Sequence, residues 1–135
     1  ILSAGTTIKK ICDLIGVEKT LLGVDVLKNG KVIAKDTNEK QLLKIVEQSS
    51  EVVIIVSPIG SQGFIFGRGN QQISSKVIKK VGISNIIILS TPHKLSQTPH
   101  LFVDTGDLEI DKKLSGKKRI ITSYRMTTLR IIKSP

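Results

Sequence analysis

The residues with most chemical promise lie in one stretch, Pro58 to Gln72. Four glycines (60, 63, 67 and 69) fall there within ten residues, beside Arg68 and the amides Gln62, Asn70, Gln71 and Gln72. Each glycine is entropically costly to order, so a loop that merely connects two elements has little use for so many. Phe64, Ile65 and Phe66 would anchor the loop in apolar surroundings, leaving Arg68 and the amides to face a ligand. A guanidinium grips a carboxylate or phosphate with two parallel hydrogen bonds. A second candidate is Ser3-Ala4-Gly5-Thr6-Thr7, between an apolar pair and a helical pattern. Gly5 lets backbone approach a ligand, and the hydroxyls of Thr6 and Thr7 join first-turn N–H groups that suit a phosphate. The same residues also read as a tight turn with a threonine cap.

Weaker candidates follow. Asp25, in Gly23-Val24-Asp25, sits within an apolar run, where a carboxylate is costly unless paired or hydrogen-bonded. It either holds a ligand hydroxyl or ties the neighbouring loop together. Asp36-Thr37-Asn38-Glu39 reads first as ordinary helix capping. Asp104-Thr105-Gly106-Asp107 pairs two carboxylates that could bind a cation or hydroxyl, or form a turn and the cap of a short helix, the reading preferred here. His93 and His100 fall in or beside a proline-containing stretch with no adjacent nucleophile pattern, and read as loop residues. Neither a Walker loop nor an HExxH zinc motif occurs, and no catalytic residue or metal ligand is assigned.

These segments need elements to position them. Ile8, Ile11, Cys12 and Ile15 repeat at helical spacing, and Gly16 ends that helix. Leu21 to Leu27 has strand composition, Asn29-Gly30 is a hairpin turn, and Lys31 to Ala34 is the returning strand. Asn38 or Thr37 caps a helix whose buried side is Leu42, Leu43, Ile45 and Val46. Glu51 to Val56 is a near-continuous apolar run, the mark of a strand covered on both faces. A helix over Ser74–Val81, strands at Asn85–Leu89 and Leu101–Val103, a short helix over Leu108–Leu114 and a late hairpin around Tyr124-Arg125 complete the pattern. Strands alternating with helices predict an α/β, Rossmann-like domain of three layers with a mostly parallel sheet. In such sheets ligands lie beyond the carboxyl ends of the strands.

Composition sets the outer limits. The chain of 135 residues suits a single domain, and 39% apolar against 24% charged residues excludes a disordered tail. No stretch is apolar for the length of a spanning helix, and the single Cys12 excludes a disulfide framework; a cytoplasmic setting is expected. Twenty-one Lys and Arg against eleven acids give a net charge of +10, which favours anionic partners. The excess is densest at Lys112, Lys113, Lys117, Lys118 and Arg119. Aromatics are only 3%, leaving few stacking platforms for single-stranded nucleic acid, so a solvated basic surface is expected there. Ile1-Leu2 reads as the end of a buried strand, too short to stand alone, so upstream sequence in a longer protein is expected.

Several of these motifs together resemble the C-terminal region of ATP-NAD kinase-like proteins, a family that includes the acetoin-catabolism X proteins. They are Gly5-Thr6-Thr7, Leu21-Leu22-Gly23-Val24-Asp25, Asn38-Glu39, Ile59-Gly60, the run Gln62 to Ile73, and Val103 to Asp107. The likeness spans essentially the whole chain. It departs from the family pattern at Ser3-Ala4, where the family has Gly-Pro, and at Ser61, where it has Gly. The resemblance implies a longer phosphotransferase that uses ATP and Mg²⁺ to phosphorylate NAD. The Gly-Gly-Asp-Gly motif of that family's N-terminal domain is absent here, so this chain alone is expected to be inactive. The resemblance also implies that Asn38-Glu39 contact the dinucleotide. A fold-level likeness of Gly5-Thr6-Thr7 and Gly23-Val24-Asp25 to the sugar-phosphate isomerase and DeoR sensor group implies instead a sugar-phosphate enzyme or sensor.

The leading expectation is a domain that binds a nucleotide or phosphorylated small molecule. Its ligand would be held by Gly5, Thr6, Thr7, Asp25, Asn38, Glu39, Gly60, Gln62, Gly63, Arg68, Asn70 and Gln71. Its partners would be that ligand, the N-terminal domain of the same protein and, in an assembly, further copies of itself. A sugar-phosphate sensor and a basic nucleic-acid-binding module are the rivals. The opening turn and the glycine-amide loop are expected to converge on one anion-receiving hollow.

Overall fold

Local signals begin most of the elements. In the computed structural model, which describes residues 1–67 and 70–135, helix α1 (Thr6–Leu14) follows Gly5. Asn29 and Gly30 take φ of 51° and 78° and turn β1 (Val26–Lys28) back into β2 (Lys31–Ala34). Helix α2 (Glu39–Glu47) starts in a capping box: the Asn38 side chain accepts from the Gln41 N–H, and the Gln41 side chain accepts from the Asn38 N–H. After β3 (Ile54–Val56) and β4 (Phe64–Phe66), Ser74 caps α3 (Ser75–Val81). Strand β5 (Ile86–Ile88) leads to α4 (Pro92–Gln97), capped by Thr91 with Pro92 in its first turn. After β6 (Leu101–Val103), Asp107 caps α5 (Leu108–Leu114). The chain closes with the hairpin β7 (Gly116–Ser123) and β8 (Met126–Lys133), turned at Tyr124-Arg125.

The strands follow a curved path. Leu2 bridges antiparallel to Asp25 and parallel to Ile55 of β3, and β3 pairs parallel with β5. A parallel bridge from Leu89 to Ile121 carries the path into β7, then antiparallel to β8. Strand β8 pairs parallel with β6, and β6 with β4, in a curled four-stranded sheet. A bridge between Ile59 and Phe64 links β4 to the segment after β3. The molecule is thus an α/β domain. Among the described residues, three of the five strand pairings are parallel, as βαβ connections require, and the hairpins supply the antiparallel remainder.

The main core gathers Leu42 of α2, Ile54 of β3, Phe66 of β4, Ile78 of α3, Leu101 of β6 and Ile120 of β7. Each side chain of this size, fully buried, contributes about 1.5–3 kcal/mol relative to exposure. A smaller cluster of Leu2, Ile8 and Cys12, with Val17, Leu27 and Ile55 against it, seats α1. The expected stripe on α1 is narrower than its periodicity suggests: Ile8 and Cys12 are buried, whereas Ile11 and Ile15 are exposed. The run Leu21–Leu27 forms a strand only at its end, and Leu21 and Leu22 lie exposed. Thr6 and Thr7 stand inside the first turn of α1 rather than capping it. His93 lies in α4, a helix where a loop is expected from the prolines.

Candidate functional site

Leu2, β3 and β5 run side by side in one direction, and the segments leaving their carboxyl ends turn toward a common cavity of about 1360 Å³. Thr6 and Thr7 follow the first, Gly60 and Ser61 the second, and Ser90, Thr91 and α4 the third. The tip of the β7–β8 hairpin, from Ile121 to Arg125, lines the cavity as well. This is the edge at which open α/β sheets place ligands, because loops diverge there and helix N-termini point inward.

The lining carries charge of one sign. Lys10, Lys94 and Arg125 reach it with His93, and among the described lining residues none is Asp or Glu. Lys94 donates from Nζ to the Pro58 carbonyl, and burial draws its pKa below the usual lysine value of 10.5. Arg125 lies 5.2 Å from the Tyr124 ring centroid. Helices α2 to α5 are each capped by their own N-cap side chain, whereas α1 is not: Gly5, at φ 123°, makes no side-chain cap. The first-turn residues of that helix, Thr6 and Thr7, border the cavity. Partial positive charge, hydroxyl donors and lysines therefore share one concave surface.

Among known families, the one described as "ATP-NAD kinase C-terminal domain" matches the chain over residues 1–133. The chain belongs to this family. No curated protein and no solved structure matches it.

Within this ATP-NAD kinase C-terminal domain, the expected site residues divide into groups. Thr6, Thr7 and Gly60 line the cavity, with Gly5 immediately before them. The opening turn and the start of the glycine-rich loop therefore do meet. Gln62, Gly63, Asn70 and Gln71 are not among the lining residues, and Arg68 lies outside the described residues. Gly63 and Gly67 take φ of 75° and 99°, and a Cβ would stand 2.9 Å from the His100 carbonyl oxygen and 2.1 Å from that of Asp104. These two glycines let the loop run against the backbone beside β6, a packing reason that needs no ligand. Asn70 is fully buried: its Nδ2 donates to the Ile65 carbonyl at 3.0 Å, which braces the loop, while Oδ1 has no partner among the described residues.

Asp25 lies inside the molecule. One carboxylate oxygen accepts from the Asp36 N–H at 2.8 Å, the other from the Thr20 N–H at 2.7 Å, and the Thr20 hydroxyl donates to both. The Lys19 ammonium stands 3.2 Å away and donates to the Thr20 and Gly23 carbonyls. Burial alone would raise the Asp25 pKa, but the donors from Asp36 and Thr20, together with Lys19, outweigh it and hold the group below 3.8. The carboxylate thus ties the 19–25 loop to Asp36, the second of the two readings of this residue. Asn38 and Glu39 begin α2 and do not line the cavity. Asp107 caps α5 and pairs with Lys79 at 2.7 Å, while Asp111 accepts from the Thr105 N–H and hydroxyl.

Lys10, Ser61, His93, Lys94, Tyr124 and Arg125 belong to the cavity without being singled out by motif. The Thr91-Pro92 pair was the available signal for α4, since proline is well placed in the first turn of a helix. Lys10 and Arg125 carried no local signal. They reach the cavity only through the way helix and hairpin converge.

Proposed function

We propose that this domain binds the phosphorylated end of a small molecule or nucleotide in the cavity between α1, α4 and the β7–β8 turn. It would do so as part of an ATP-NAD kinase-like protein that phosphorylates NAD. The observation that carries the reading is the lining itself: lysines, an arginine and the uncapped first turn of α1, with no carboxylate among the described lining residues. Thr6 and Thr7 would donate to phosphate oxygens, Lys10 and Lys94 would neutralise them, and Gly60 would let backbone approach. Mg²⁺ does not fit this lining, because the ion favours carboxylate oxygens and the described lining residues offer none. The ion and the reacting groups would therefore belong to another part of the whole protein.

Titration calorimetry of the 135-residue chain with inorganic phosphate, ATP, NAD and glucose 6-phosphate tests the reading. Binding that weakens as salt rises and is reduced by Thr7→Val supports it. Absence of binding to every one of these anions overturns it. Glucose 6-phosphate as the sole ligand favours the sugar-phosphate reading instead. The chain alone is expected to form no NADP from ATP and NAD, and detected NADP would refute that.

A further inference from the structure

The wall of the cavity changes character along α1. Thr7, Ile11 and Leu14 follow at i, i+4 and i+7, so they share one helix face, and all three line the cavity. The face is polar at its first turn and apolar two turns later, a run of about 10 Å at 1.5 Å per residue. Leu14 is 86% exposed and Ile11 40%, although both sit on a helix whose other apolar positions, Ile8 and Cys12, are buried. Apolar side chains also reach the lining from elsewhere: Leu89 after β5, Ile121 on β7, and Tyr124 at the hairpin turn, 83% exposed. A concave, apolar surface with a few convergent polar groups is the usual form of a small-molecule site.

We propose that the cavity takes an amphipathic anion, a phosphomonoester whose other end is an apolar body lying along Ile11 and Leu14. This rests on the anion reading above and narrows it. A polyhydroxylated ligand would leave that wall uncovered. An apolar body covers it. The first turn of α1, with its free N–H groups and the Thr7 hydroxyl, sets the orientation, phosphate toward Thr7 and tail toward Leu14.

The test is a series of methyl, butyl, hexyl and octyl phosphate, titrated into the 135-residue chain below their micelle-forming concentrations. Complete burial strengthens binding about fourfold per methylene, so partial cover by an open wall should leave hexyl phosphate at least about tenfold tighter than methyl phosphate. Leu14→Ser should reduce that gain while methyl phosphate, too short to reach Leu14 from Thr7, keeps its affinity; as Leu14 is 86% exposed, the variant should fold. Equal affinity across the series overturns the amphipathic ligand but leaves the anion reading standing. No binding by any member overturns the amphipathic ligand, and overturns both where inorganic phosphate, ATP, NAD and glucose 6-phosphate fail to bind as well. Hexanol binding as tightly as hexyl phosphate, or glucose 6-phosphate binding more tightly, overturns the proposal. So does attachment to phosphatidic acid vesicles without binding of monomeric hexyl phosphate.

Discussion

The loop from Pro58 to Gln72 and the wall formed by α1 are opposite in kind. The loop is rich in residue types associated with ligands, yet much of it faces inward: Gly63 and Gly67 meet neighbouring backbone, Ile65 and Phe66 are fully buried, and Asn70 holds a carbonyl. Helix α1 offers a plain amphipathic sequence, yet it turns Thr7, Lys10, Ile11 and Leu14 toward open space. Unusual composition marks where a backbone is constrained, whether or not the constraint serves a ligand. An ordinary helix becomes a binding wall when its neighbours leave one face uncovered.

The contrast can be broken most forcefully at the buried carboxylate. Asp25→Asn should cost about 3–5 kcal/mol in urea unfolding, because it leaves the buried Lys19 ammonium uncompensated. A loss below about 1 kcal/mol would show that the pair does not hold the 19–25 loop. Gly67→Ala should come next, at about 1–3 kcal/mol for overpacking against the Asp104 carbonyl, with about 1–2 more for a side chain at positive φ. If that variant unfolds like the parent, the inward role of the loop is wrong.

Acid sharpens the comparison from the same node. The folded-state pKa of Asp25 lies below 3.8, so on acidification the unfolded chain takes up its proton first. The stabilisation is present at neutral pH and is lost as pH falls below about 4. Thermal unfolding from pH 7 to pH 3 should show this loss in the parent and a flatter acid limb in Asp25→Asn. A smaller effect belongs to the capping box: Asn38→Ala should cost about 1 kcal/mol and leave phosphate binding unchanged. The smallest belongs to α1, where Leu14→Ser should change stability by less than about 0.5 kcal/mol. A larger loss at Leu14 would mean that this wall is part of the core after all.

Elements with their own punctuation were legible in the sequence. Ser74 and Gly82 bound α3, Asp107 caps α5, and Tyr124-Arg125 turn the last hairpin. Proline in the 91–99 stretch hid α4, and Leu21–Leu27 read as a longer strand than it is, because composition does not tell an exposed Leu22 from a buried Val26. The cost of burying Asp25 was evident from its neighbours, but its partner Lys19 was not, since an ion pair six residues apart within a loop has no spacing rule. Of the cavity, the parts on motifs could be read and the parts made by convergence could not. Thr6, Thr7 and Gly60 belong to patterns, whereas Lys10, Lys94 and Arg125 are single basic residues that become neighbours only once β7 meets the end of β5.

That meeting has a consequence for the order of events during synthesis. The cavity needs residues as far apart as Thr6 and Arg125, and its hairpin side joins β5 through the Leu89–Ile121 bridge. A ribosome delivers the amino end first. The two sides of the cavity therefore come together only when nearly the whole domain has emerged, and a nascent chain stalled before residue 120 would carry the α1 wall without the hairpin that faces it.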